Sequence, residues 1–146
     1  MTFTPGDEGV LYATGTQNSG LSLFVQNNKL VLDYNAFGDH TIVESANAVP
    51  AGDHELRLLL RRGDGMAGQL TLQVDGSEVA TASVPLYMRM MSSVGPSIGH
   101  DHGSPVSTRY TAPYTYTGVL HEVVIESGKP RADVKAAEAQ SEMNRQ

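Results

Sequence analysis

The chain has 146 residues, no cysteine and a formal net charge of −6 at pH 7. The lack of cysteine excludes disulfides, thiolate metal sites and cysteine nucleophiles. The ten Lys and Arg form no run longer than Arg61-Arg62, so neither a nucleic acid nor an anionic membrane is an expected partner. With 40% hydrophobic and 18% charged residues, the composition is that of one globular domain long enough to bury a core.

The N-terminal stretch MTFTPGDEGV has neither the basic segment nor the apolar segment of a secretory signal. Apolar runs elsewhere stay well short of the ~20 residues that a membrane-spanning helix needs. We therefore expect a soluble protein, with no signal peptide in this chain and cytoplasmic by default.

Short alternating segments predict a series of β-strands in the first half of the chain. Residues 20–26 (GLSLFVQ) and 29–35 (KLVLDYN) each place apolar side chains on one face. Asn27-Asn28 between them suits a tight hairpin turn, because asparagine tolerates a positive φ. Residues 40–45 (HTIVES) and 53–62 (DHELRLLLRR) predict two further strands.

The clearest hairpin is predicted over 68–84 (GQLTLQVDGSEVATASV), with Asp75-Gly76 at its turn. A last strand is predicted over 116–127. Helical periodicity is nearly absent before residue 128, so residues 1–127 are predicted to form an all-β domain, an antiparallel β-sandwich. Residues 128–146 form a short polar tail, flexible or helical, because they lack the apolar stripe that would attach a helix to a core.

Residues 99–110 (GHDHGSPVSTRY) bring together side chains that can carry chemistry. In an extended segment His100 and His102 share a face, with Asp101 opposite, and the two imidazoles could hold zinc or nickel. A third ligand would have to come from elsewhere in the chain, from one of three histidines: His40, His54 and His121. A small metal-dependent hydrolase using His100, Asp101 and His102 is thus one functional alternative. The spacing favours histidines in a polar loop, since it lacks the helical pattern of a metalloprotease site.

Asp101 is also the residue around which calcium could bind, because carboxylate oxygens suit this ion and Asp39 or Asp75 could add ligands. The alternative that we favour is that Asp101 accepts hydrogen bonds from N–H groups of its own loop. A serine nucleophile at Ser104 is not expected, because Pro105 has no N–H to contribute to an oxyanion hole.

Carbohydrate binding is a further alternative, because aromatic side chains stack on sugar rings. Tyr110 and Tyr114 lie close together in the sequence, although alternating tyrosines such as Tyr114 and Tyr116 are equally typical of packing in a strand. Arg109 is the cation of this segment that could meet a sulfate group. The candidate binding residues are therefore Asp101, Arg109, Tyr110 and Tyr114, and no residue is predicted to be catalytic.

Four stretches, in order, resemble the C-terminal domain of bacterial arylsulfatases over about residues 8–126. They are EGVLYATGTQNSGLSLFVQNNKLVLDYNAFG, VPAGDHELRLLL, GQLTLQVDGSEVATASVP and GHDHGSPVSTRYTAPYTYTGVLHEVVIE. Within the last stretch the positions that match the family pattern are Gly99, Asp101, Gly103, Pro105, Val106 and Tyr110. His100 and His102 fall on its variable positions.

The resemblance implies a jelly-roll sandwich of the concanavalin A-like or laminin G-like type. It also implies a non-catalytic accessory domain acting in assembly or substrate presentation. The formylglycine signature C/S-x-P-S/T-R of the family's catalytic part is matched neither by SVP at 83 nor by SPVSTR at 104. The family's strand before EGV is shortened or missing here, which would expose a sheet edge. We therefore expect a homo-oligomer or a sulfatase catalytic chain to cover that edge, with calcium as the one cofactor left open.

Overall fold

The computed structural model describes residues 1–87 and 95–122, and this part of the chain is all-β. Ten strands occur in these residues, and no helix does. The strands are β1 (Thr2–Phe3), β2 (Gly9–Gly15), β3 (Gly20–Gln26), β4 (Lys29–Ala36), β5 (Asp39–Glu44), β6 (Gly52–Asp53), β7 (Leu56–Arg62), β8 (Gly68–Val74), β9 (Ser77–Val84) and β10 (Ser97–Ile98). The predicted all-β class is confirmed.

The strands form three antiparallel sheets. The largest has the order β10-β2-β3-β4-β5, the second has the order β7-β8-β9, and β1 pairs with β6. Both predicted hairpin turns are confirmed by their backbone angles. The φ values are 53° at Asn27 and 63° at Asn28, and 51° at Asp75 and 83° at Gly76. A positive φ at both turn residues matches the twist of the flanking strands.

The main core lies between the five-stranded and the three-stranded sheet. Leu23 of β3 and Leu32 and Tyr34 of β4 belong to one buried cluster with Leu70 and Leu72 of β8. The two sheets therefore pack face to face, and the architecture is β-sandwich-like. The apolar alternation of 20–26, 29–35 and 68–74 points into this core, as the sequence predicts.

The outer face of the five-stranded sheet is also covered. Val10, Phe24 and Val31 form a second buried cluster on that face, and Tyr110 and Tyr114 pack against it. As a result β3 and β4 are buried on both sides along almost their whole length. Alternation alone predicts one covered face, so this second layer is new information from the structure.

The predicted strand over 116–127 is not a strand in its described part. Residues 116–122 make one isolated antiparallel bridge, between Thr2 and Val119, and the residue just before them, Thr115, makes a parallel bridge to Val10. Residues 123–127, the predicted domain boundary and the predicted tail 128–146 lie outside the described residues. Within 1–87 and 95–122 there is no helix with the length and apolarity that crossing a membrane requires.

Candidate functional site

The motif-bearing residues 99–117, here termed the cover segment, lie across the outer face of the five-stranded sheet. Backbone hydrogen bonds attach the segment to β2 at two points, from Gly99 N to Leu11 O (2.9 Å) and from Val10 N to Tyr114 O (2.8 Å). Asp101 N donates to Pro113 O at 2.8 Å, which ties the two arms of the segment to each other. The cover segment is thus an ordered layer that is hydrogen-bonded to the sheet.

Asp101 is the hydrogen-bond centre of the cover segment. Its side chain is 1% exposed, and its Oδ2 accepts hydrogen bonds from Val106 N at 2.9 Å and from the Tyr110 hydroxyl. Since the Tyr110 proton points to Asp101, the Ser22 hydroxyl 2.9 Å away donates to the Tyr110 oxygen. Burial, followed by the hydrogen bond to Asp101, raises the pKa of Tyr110, so the phenol remains a donor. The favoured prediction that Asp101 accepts hydrogen bonds from its own loop agrees with this geometry.

The two candidate tyrosines pack on each other and on the sheet. The rings of Tyr110 and Tyr114 stack with centroids 5.1 Å apart, and both meet Phe24 edge-on, at 5.1 and 6.2 Å. The Tyr114 hydroxyl donates to Glu8 Oε2 at 2.9 Å. Burial, with Glu8 adding to it, raises the pKa of Tyr114 to about 12. Both rings therefore take part in packing, which is the alternative that the sequence left open for Tyr114.

Arg109 forms an ion pair with Glu44 at the edge strand β5. Its Nη1 contacts Glu44 Oε1, and its backbone carbonyl accepts a hydrogen bond from Gln26 Nε2 at 3.0 Å. The hydrogen bond from Arg109 lowers the pKa of the Glu44 carboxyl. Arg109, which the sequence suggests as a sulfate-binding cation, is therefore already paired with the Glu44 carboxylate.

The structure places His100 and His102 side by side, with ring centroids 6.3 Å apart. Nδ1 of His100 lies 3.1 Å from Ile98 O, and Nδ1 of His102 contacts Ser97 Oγ. In the part of the chain that the structure describes, no group of three or more histidine or carboxylate side chains is arranged to hold a metal ion. Among these residues, therefore, no third histidine or carboxylate side chain completes a zinc or nickel site at His100 and His102.

The three histidines proposed as additional ligands, and Asp75, have other partners. His40 lies beside Asp33, His54 beside Asp75, and His121 Nε2 is 4.0 Å from Asp53 Oδ1. Asp39 is exposed at the start of β5. Asp39 and His40 lie at the start of β5, whereas His54 and Asp75 contact each other at the β8–β9 turn.

His54 connects the β8–β9 turn to the segment before β7. Its Nδ1 lies 2.7 Å from Asp75 Oδ2 and its Nε2 lies 2.6 Å from Pro50 O. Both neighbours are acceptors, so both ring nitrogens donate only when the imidazole is protonated. The hydrogen bond to Asp75 raises the pKa of His54 above its usual 6.5, and the same bond lowers the pKa of Asp75 below its usual 3.8.

His54→Gln is expected to flatten the pH dependence of stability above pH 6.5. Because the pKa of His54 is higher in the folded than in the unfolded chain, protonated His54 stabilises the fold. This stabilisation is fully present below the usual pKa of 6.5 and is lost as the pH rises through the pKa of folded His54. The Asp75 contribution is present above 3.8 and is lost as the pH falls through its lowered pKa. Thermal melting between about pH 5 and pH 8 measures the difference. His100→Gln is the control, and an equal pH slope in the two variants would contradict the prediction.

Sequence reasoning missed two buried polar residues of β4. Asp33 is 0% exposed, and both of its carboxylate oxygens lie near His40 Nδ1, at 2.9 and 3.0 Å. Asn35 is equally buried and donates from Nδ2 to Gln17 O (2.8 Å) and Val106 O (3.2 Å). The signal that could have found them is their alternation with apolar residues in KLVLDYNA, which places both on the outer face.

Asn35 joins two turns at one end of the five-stranded sheet. Its Oδ1 accepts a hydrogen bond from Gly38 N at 2.8 Å, while its Nδ2 reaches Gln17 O in the β2–β3 turn. Between these turns lies an open cavity of about 260 Å³, lined by Gln17, Asn18, Phe37 and Gly38. This cavity lies outside the residues that the sequence predicted for binding.

Comparisons of the chain with protein-family models, with curated proteins and with solved structures return no match. The resemblance to arylsulfatase C-terminal domains therefore remains a prediction from the motifs quoted above.

Proposed function

We propose that this chain is a non-catalytic accessory domain, a jelly-roll sandwich related to the C-terminal domain of arylsulfatases, which acts in assembly or substrate presentation. One observation carries the proposal. Asp101, Val106 and Tyr110, which are among the positions that carry the resemblance, form a single hydrogen-bonded turn packed on the outer sheet face. Residues that shape a layer of the fold in this way support an architectural role for the motif.

The hydrogen bonds to Asp101 support the same role. The carboxylate receives a backbone N–H and a phenol, and the phenol in turn receives the Ser22 hydroxyl. A buried carboxylate with these donors holds its loop in place, because each donor would lose a hydrogen bond if the carboxylate turned outward. The segment that looks reactive in the sequence is in this proposal the element that gives the outer surface its shape.

The partner in this proposal is a second copy of the chain or a sulfatase catalytic chain. Native mass spectrometry at about 10 μM tests it, first on the protein alone and then mixed with bacterial arylsulfatase catalytic domains that lack their own C-terminal domain. We expect either a dimer mass or the summed mass of a mixed complex. A spectrum that shows only monomer in every mixture would overturn the assembly part of the proposal.

A further inference from the structure

Phe37 lies at a turn position where its backbone is left-handed and its aromatic side chain is exposed to solvent. The residue is 73% exposed and has φ of 53°, in the two-residue turn Phe37-Gly38 between β4 and β5. Left-handed backbone disfavours a bulky residue, and Asn, Asp or Gly are the usual residues there. Strained and exposed aromatic residues of this kind are typical of binding surfaces.

The surroundings of Phe37 hold the turn in a defined place. Asn35, which is 0% exposed, accepts a hydrogen bond from Gly38 N and donates to Gln17 O and Val106 O. These bonds join the Phe37 turn, the β2–β3 turn and the cover segment. The aromatic ring is therefore carried by a rigid support, which reduces the entropy lost when a ligand binds.

Two side-chain amides face solvent beside the ring. Gln17 and Asn18 are exposed, and their backbone N–H groups are held by Ser104 Oγ (3.1 Å) and Thr16 Oγ1 (3.2 Å). Among residues 1–87 and 95–122, neither amide side chain has a hydrogen-bond partner. The cavity thus combines a hydrophobic ring with amide donors and acceptors that are available to a ligand.

We propose that this cavity binds one uncharged pyranose ring of a glycan. The apolar face of the sugar would stack on Phe37, and its hydroxyls would exchange hydrogen bonds with Gln17 and Asn18. The cavity of about 260 Å³ is smaller than a drug-sized pocket, and none of its four lining residues is charged. A neutral sugar unit therefore fits better than a sulfated one, and Asp39 next to the turn disfavours an anion. The inference rests on the substrate-presentation part of the proposed function.

Titration with cellohexaose, xylohexaose and laminarihexaose, followed by ¹H–¹⁵N NMR, tests the site directly. With at least one of these probes we expect shifts of the Gln17 and Asn18 side-chain amides and of Gly38 N–H. Phe37→Ala should weaken that binding at least about tenfold, whereas Phe37→Trp should retain it. Met66→Ala is the matched control, because Met66 is 71% exposed in a loop of the other sheet.

Phe37→Asn separates binding from folding. Asparagine favours the left-handed backbone, so this variant should melt at a higher temperature than the wild type and yet lose the sugar-dependent shifts. Three results would overturn the inference: no shifts with any probe at about 10 mM, unchanged affinity in Phe37→Ala, or concentration-dependent shifts at Phe37 without sugar. The last result would assign the surface to contact between copies of the chain.

The sugar site and the accessory function can fail separately. Loss of sugar binding with an intact oligomer or mixed complex in native mass spectra would overturn only the sugar site. Sugar binding without any complex would overturn only the assembly part of the proposed function.

Discussion

Gly9→Ala is expected to destabilise the protein by about 4 kcal/mol, the largest effect among the substitutions considered. Gly9 has φ of 124°, and a Cβ at this position would lie 2.4 Å from Thr115 O and 2.5 Å from Tyr116 Cα. Both are backbone atoms, so no side-chain rotation can relieve the overlap. The cover segment would have to move away from β2, which would break the hydrogen bond from Val10 N to Tyr114 O.

Gly6→Ala is the matched control for this substitution. Gly6 also has a positive φ, 97°, but a Cβ there meets no atom within 4 Å. Gly6→Ala is expected to destabilise the protein by about 1 kcal/mol, which measures the cost of backbone strain in the absence of steric overlap. Urea unfolding followed by circular dichroism gives both free energies. Equal losses in the two variants would mean that the cover segment does not pass closely over Gly9.

Asp101→Ala is expected to destabilise the protein by about 3 kcal/mol. The substitution removes the acceptor of Val106 N and of the Tyr110 hydroxyl in a site where Val106 and Asp101 are each 1% exposed. A buried N–H without a partner carries the full penalty of its desolvation, and the Tyr110 hydroxyl loses its carboxylate acceptor although Ser22 remains beside it. Hydrogen exchange at Val106 N–H should accelerate together with the loss of global stability.

Two comparison variants show whether the effect comes from these hydrogen bonds. Asp39→Ala removes an exposed aspartate of the same sheet and should change stability by less than about 0.5 kcal/mol. Asp101→Asn keeps an oxygen for Val106 N but has no negative charge for Tyr110, so an intermediate loss of about 1–2 kcal/mol is expected. If Asp101→Ala and Asp39→Ala behave alike, the network does not hold the cover segment.

The strands and turns of the sheets could be predicted from the sequence. β3, β4, β8 and β9 follow the predicted segments to within a residue or two. Their signals are local, because the alternation of side chains and the φ preference of Asn27-Asn28 and Asp75-Gly76 belong to a few consecutive residues. The segment 116–127 carries the same alternation, but its described residues 116–122 form only one isolated bridge, from Val119 to Thr2.

The candidate site could be predicted only in part from the sequence. The sequence favoured Asp101 as an acceptor for its own loop, and the hydrogen bond from Val106 N agrees with that. It grouped Tyr110 and Tyr114 as binding residues, which stays a prediction, and it did not show that both rings contact Phe24. It gave no weight to Phe37, because an exposed aromatic residue in a strained turn is visible only when φ and exposure are known.

The all-β class, the positions of most strands and the turns between them follow from the amino-acid order, because they depend on interactions within a few residues. The covering of the outer sheet face, and the identity of the segment that covers it, are visible only in the folded chain. The contacts responsible join residues far apart in the chain, such as Ser22 and Tyr110, 88 positions apart, and Asn35 and Val106, 71 positions apart. Such pairs leave no periodic pattern, since each depends on how the whole chain folds back on itself.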